Sequence, residues 1–190
     1  MAQPKPITLT AEVVGQDYCA ISSNSASLEM KLRLKYRNVG SQKLILYRGH
    51  DLFYQTKIRN RPASGAMPYE VWAANARYFD EEFEPIDRAS PGKAFVTLPP
   101  GAVYEREMIL GIGLVNEKTP RSDLSIHPGE HTLNLTVSTW YKSRALAEKL
   151  RQQWSRQGFL WFDPLIASVA FLAQPPGSLR PCKLQTADAR

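Results

Sequence analysis

The sequence predicts a mainly β fold, an antiparallel two-sheet sandwich of about seven or eight short strands with one inserted amphipathic helix near 143–157. Three observations carry this expectation. Leu28, Met30, Leu32, Leu34 and Tyr36 alternate without a fault with Glu29, Lys31, Arg33, Lys35 and Arg37. That two-residue period puts one strand face in a core and the other in water, whereas a helix would spread the charges around its circumference. Turn-forming residues, 14 prolines and 11 glycines, separate the apolar runs. Finally, one segment alone shows a firm helical recurrence.

In chain order, Ile7, Leu9, Ala11 and Val13 alternate in a first strand, which Tyr18–Ile21 continues after a break at Gly15. The charged strand 28–37 comes next. Asn38-Val39-Gly40-Ser41 reads as a turn, because Asn and Gly tolerate positive φ, and Leu44–Tyr47 reads as the returning strand of a hairpin. Gly49-His50-Asp51 breaks that strand, and Leu52–Ile58 is the next. From 59 to 93 the alternation vanishes into an aromatic, proline-rich connection, partly helical near Tyr69–Ala76. Regular alternation returns at Ala94–Leu98. Pro99-Pro100-Gly101 turns the chain into a strand over Val103–Leu110, Gly111 and Gly113 loosen the adjoining segment, and 116–125 is a polar loop. His127-Pro128-Gly129-Glu130 then launches Leu133, Leu135 and Val137.

The helix starts at a Ser143 cap and ends at Gly158. Leu146, Leu150 and Trp154 recur every four residues with Ala147 beside them, one apolar stripe. Arg151 and Arg156 suit the negative end of the helix dipole. Phe159–Phe162 and Ser168–Leu172 close the fold around the Asp163-Pro164 turn. Residues 1–174 thus form one β domain, and 175–190 a Pro-rich polar tail.

A chain of 190 residues is long enough to hold a core without metal or disulfide staples. The formal charge is +6, from 24 basic and 18 acidic residues, but the cations are spread over strand and helix faces and interrupted by acids. A solvated surface is the reading, and no nucleic-acid partner is expected. No apolar run approaches the ~18 residues of a membrane span. The start Met1-Ala2-Gln3-Pro4-Lys5-Pro6 resembles a mature N-terminus left by cleavage, so the chain is expected to be exported, periplasmic or secreted, with the cytoplasm as the alternative. Cys19 and Cys182 are either two thiols or a disulfide, which only an exported protein would keep. The bond would close a loop of roughly 160 residues.

The strand-Asn-turn-strand stretch Leu32–Leu46 resembles a hairpin of bacterial immunoglobulin-like sandwiches. The two Pro-Gly strand starts, Leu98-Pro99-Pro100-Gly101 and His127-Pro128-Gly129-Glu130, match the pattern before their later strands. Over roughly 28–140 the chain is distantly similar to the BsuPI type of intracellular proteinase inhibitor. The resemblance implies an immunoglobulin-like antiparallel sandwich and, as a second function, inhibition by an extended loop entering a protease cleft. It brings no reactive-site residues, and the helix, the aromatic connection and the export depart from it.

Catalytic signatures are absent from the sequence: no GxSxG, HExxH or Walker-type loop occurs, and no cofactor is expected. His127 and His131 flank the Pro-Gly-Glu turn as weak metal candidates, since zinc wants three or four ligands. Asp80, Glu81, Glu82, Glu84 and Asp87 lack the spacing of a calcium loop. An enzyme of unrecognised class is the third reading, resting on His50, Asp51 and His131. The leading one is a non-catalytic protein binding a protein or envelope polymer through aromatic loops, 59–93 and 111–127. Tyr69, Trp72, Tyr78, Phe79 and Phe83 are the candidate contacts, because aromatic side chains bury large area at little rotamer cost. The opposing reading makes 59–93 a plug over one end of the core.

Overall fold

The computed structural model describes residues 5–22, 25–48, 54–61, 68–75, 90–115, 125–138, 143–175 and 179–182. In chain order the strands are β1 (Ile7–Ser22), β2 (Ser25–Asn38), β3 (Leu44–Tyr47), β4 (Tyr54–Asn60), β5 (Glu70–Asn75), β6 (Phe95–Leu98), β7 (Val103–Val115), β8 (Ser125–Ile126) and β9 (Gly129–Val137). Helix α1 (Arg144–Gln153) precedes β10 (Phe159–Trp161) and β11 (Leu165–Ala173). They form three separate open sheets, ordered β1-β2-β7-β8, β10-β3-β6 and β11-β9-β4-β5.

This overturns the immunoglobulin-like sandwich of seven to eight antiparallel strands. There are eleven strands in the described residues, and two pairings, β10 with β3 and β7 with β8, are parallel. The error starts at the supposed hairpin. Leu44, Ile45, Leu46 and Tyr47 are all buried, the mark of a strand covered on both faces. Such a strand sits between two neighbours, and β3 does so, between β10 and β6. β2 pairs instead with β1 and β7. Within 69–76, expected to be partly helical, Glu70–Asn75 form strand β5 instead.

The alternation of β2 holds throughout its length. Leu28, Met30, Leu32 and Leu34 have no exposed surface and Tyr36 has 1%, each Leu contributing roughly 1.5–3 kcal/mol by burial. On the other face Arg33 lies opposite both Glu12 of β1 and Glu107 of β7. Glu107 accepts from Lys31 at 2.7 Å and Arg33 at 3.2 Å, and these two cations hold its carboxyl below the usual range, Lys31 first. Lys35 lies 3.6 Å from Glu12 and 3.7 Å from Glu105. Exposed pairs of this kind add little stability but fix cross-strand register. At Gly15, where a break was expected, β1 makes a register shift against β2 and continues. Gly111 and Gly113 likewise stay within β7.

Asn38, at the end of β2, joins two sheets. Its buried amide donates to Gln42 O at 2.7 Å and to Leu98 O of β6 at 2.8 Å, and its Oδ1 accepts from Gly40 N at 3.0 Å. Its backbone N–H donates to Ala102 O and its carbonyl accepts from Gly101 N. No described non-glycine residue has positive φ, so Asn38 acts through its side chain rather than through a left-handed conformation. Gly40 is required by contact: a Cβ there would lie 2.7 Å from the Pro6 Cβ, and Pro6 O accepts from both Val39 N and Gly40 N.

Helix α1 begins where expected, with Ser143 Oγ accepting from Leu146 N at 3.3 Å. It ends at Gln153, earlier than 157, and a turn over 154–157 completes the segment. Ala147, Leu150 and Trp154 are fully buried, and Trp154 meets Phe95 edge-on at 5.0 Å. At the other end of the chain, Cys19 of β1 is disulfide-bonded to Cys182, across 163 residues of sequence. Ala20 N donates to Arg180 O, and Ala20 O accepts from Cys182 N, so residues 180–182 run along β1. In the chain-entropy model a closure of this length stabilises by up to about 5 kcal/mol.

Replacing Asn38 by Ala leaves the buried Leu98 carbonyl without its partner and removes the bonds to Gln42 O and Gly40 N, the latter keeping Pro6 O. The expected loss is about 2–4 kcal/mol in urea unfolding, and a loss under about 1 kcal/mol would show that the amide is not a joint.

Candidate functional site

Tyr69 and the two histidines at the Pro-Gly-Glu turn come together where β5, β8 and β9 meet. His131 Nδ1 lies 2.9 Å from Gly129 O, which only accepts, so this nitrogen carries the proton. Nε2 is then a lone pair and accepts from the Tyr69 hydroxyl at 2.7 Å. The same hydroxyl oxygen accepts from His127 N at 3.0 Å. His131, 1% exposed, is stacked on Phe171 of β11, with ring centroids 5.3 Å apart.

Why the chain folds this way is local. Asn60, the last residue of β4, accepts from Tyr69 N through its Oδ1 at 2.7 Å, and Arg61 N donates to Glu130 O at 2.8 Å. The two ends of the 61–69 connection are thereby fastened, one to β4 and the other to β9. Glu70 then pairs with Lys57 at 2.7 Å and with Arg59, fixing β5 against β4. In this register Trp72 stands opposite Lys57.

The two histidines differ, since His127 Nδ1 is buried with no hydrogen-bond partner among the described residues. Both ring nitrogens of His131 already have partners, so a metal would have to displace the Tyr69 hydroxyl. Among the described residues no three His, Cys, Asp or Glu side chains come close enough to hold a metal ion. Burial pulls the His131 pKa below its ordinary value, with His127 adding to the effect and the Gly129 bond opposing it. The ring is held neutral. The arrangement acts as a clamp that positions Tyr69 and the start of β5.

The structure separates the other candidates. Tyr69 is half-buried and turned inward to this clamp. Tyr78, Phe79 and Phe83 lie outside the described residues, as do His50, Asp51 and the acids Asp80, Glu81, Glu82, Glu84 and Asp87. Sequence reasoning missed the link between Tyr69 and His131, which are 62 positions apart; the one signal was a polar His on the inward side of an alternating strand.

No family model and no curated protein sequence matches the chain. Three solved structures overlap most of it at low similarity. Target SoR45 of the Northeast Structural Genomics Consortium is 14% identical, with 92% of this chain and 91% of that one covered and a TM-score of 0.39. A protein described as ApaA, from Bordetella pertussis, is 16% identical over 91% of this chain and 98% of its own, at a TM-score of 0.35. Spo0M, a sporulation control protein from Bacillus subtilis, is 9% identical over 91% of this chain and 51% of its own, at 0.34. With three open sheets in place of one sandwich, the resemblance to the BsuPI type of immunoglobulin-like sandwich falls.

Two results are expected from the clamp. Tyr69→Phe deletes the shared hydroxyl and should cost about 1–3 kcal/mol, with the fold retained. Because the folded His131 pKa is lowered, its contribution is complete above the unfolded value near 6.5 and is lost as pH falls towards the folded value. The slope of the melting temperature between pH 7.5 and 5 should therefore be shallower in His131→Leu than in the wild type. Equal slopes would show that this ring does not titrate with unfolding.

Proposed function

We propose that the protein is a non-catalytic binding protein of an oxidising, extracytoplasmic compartment, and that it takes a protein or envelope polymer at the aromatic connection, along β5. The position of β5 carries this reading. It is the last strand of the sheet β11-β9-β4-β5, with β4 as its one strand neighbour among the described residues. An edge strand offers a row of backbone N–H and C=O groups to an added strand, with side-chain contacts supplying selectivity. β5 also carries Trp72, the residue type most enriched among binding hot spots.

The clamp fits this role. Tyr69 is spent on fixing the strand, so the edge is presented by a rigid base rather than by a free loop. The Cys19–Cys182 disulfide supports the compartment, since such bonds persist where thiols are oxidised. Among the described residues no helix is long and apolar enough to cross a membrane.

Crosslinking and capture from the envelope fraction of the native organism tests the proposal. A hot-spot Trp is worth about 2 kcal/mol or more, so Trp72→Ala should weaken capture roughly thirtyfold with a nearly unchanged melting temperature. A large fall in melting temperature with capture retained would make Trp72 core, and the binding edge would have to lie elsewhere.

A further inference from the structure

The segment entering β3 and the end of α1 are pressed together at Gly158. A Cβ on Gly158 would sit 2.9 Å from Lys43 O and 3.1 Å from Ile45 Cγ1, so only glycine permits the approach. Phe159 N then donates to Lys43 O at 2.8 Å and starts the parallel pairing of β10 with β3. At this junction lies an open cleft of about 560 Å³, within the size range of small-molecule sites. Gln42 and Lys43 line it from the segment entering β3, and Arg151, Gln152, Arg156 and Phe159 from α1 and the chain that follows.

Charge in this cleft is one-sided. Three of its lining residues are cations, Lys43, Arg151 and Arg156, and none is a carboxylate. Among the described residues, none of the three has an ion-pair partner. Outside the cleft, Asp163 and Glu148 lie near enough to favour the Arg151 cation, but their ion pairs are with Arg144, at 3.4 Å and 3.1 Å.

Arg151 is also held in place. Its Nε donates to Leu160 O at 3.0 Å, and its guanidinium lies 4.2 Å from the Phe159 ring centroid and 3.9 Å from that of Phe162. Stacking fixes the plane of the fork, and among the described residues the other guanidinium nitrogens have no hydrogen-bond partner. Complementing the helix dipole does not account for the cluster. The C-terminal pole amounts to about half a charge, Lys43 comes from another element, and Arg151 bonds a strand carbonyl rather than a helix end.

We propose that this cleft binds a small organic anion carrying two or more carboxylate or phosphate groups. The Arg151 fork meets one acid group in a planar, bidentate manner, and Lys43 and Arg156 meet the second. Phe159 supplies an apolar contact for the carbon skeleton. This site is distinct from β5, so it stands or falls independently of the partner proposed there.

Calorimetric titration of the full-length, disulfide-bonded protein at low salt tests this, with citrate and pyrophosphate as the probes and glucose as the neutral control. At least one anion should bind saturably at one site with a Kd below about 1 mM, and which of them binds separates the carboxylate from the phosphate class. The double substitution Lys43→Gln with Arg156→Gln changes two exposed side chains and should leave the melting temperature unchanged while weakening that binding about tenfold or more. Absence of saturation by either anion below about 10 mM would overturn the proposal, and so would equal binding by the double variant.

Discussion

The side chain of Asn38 is the joint on which the architecture depends. β2 is an inner strand of one sheet and β3 the central strand of another, and only five residues separate them. In so short a span the chain leaves one sheet and enters the next through a largely exposed turn, and at its start the buried Asn38 must find partners for its own polar groups. Asn38 satisfies that demand from both sides. It bonds the outgoing turn at Gln42 and Gly40, and it bonds β6 at Leu98, so the departing chain and the receiving sheet share one amide. An apolar residue of similar size would fill the space and leave the buried Leu98 carbonyl unpaired, at a cost of about 1–3 kcal/mol.

Other long-range ties close the remaining gaps. The Cys19–Cys182 bond fastens the C-terminal segment to β1, whose neighbour on the other side is β2. Gly158 lets the end of α1 approach β3 closely enough for parallel pairing. The Tyr69–His131 bond ties the start of β5 to β9. Each tie joins residues far apart in sequence, and each occurs where a sheet would otherwise end without support. The two candidate binding surfaces, the β5 edge and the cationic cleft, sit directly on the last two of these rigid points.

How much of this is legible in the sequence depends on the range of the interaction. The alternation at 28–37 is local and names its own strand, and the Ser143 cap with the Leu146, Leu150 and Trp154 stripe names its helix start. Pairing is non-local, and there the reading fails. Asn38-Val39-Gly40-Ser41 has the composition of a hairpin turn, yet the four-residue apolar run after it belongs to a doubly covered strand. β5 is short and alanine-containing, which imitates a helix, and its strand state comes from β4 and from Glu70 held by Lys57 and Arg59. Arg151 and Arg156 are visible as helix-end cations, but nothing in the sequence says that Lys43 joins them in lining a cleft.

The claim that Asn38 joins two sheets into one cooperative unit is tested most directly by native-state hydrogen exchange. The amide of Gly40 is shared between Asn38 Oδ1 and Pro6 O, and that of Gly101 donates to the Asn38 carbonyl, so both lie at the joint. If the joint opens only when the protein unfolds, these amides should share the protection of Leu32 and Leu34 in the middle of β2. Exchange of Gly40 and Gly101 several orders of magnitude faster than those core amides would contradict the account, because the sheets would then part without unfolding.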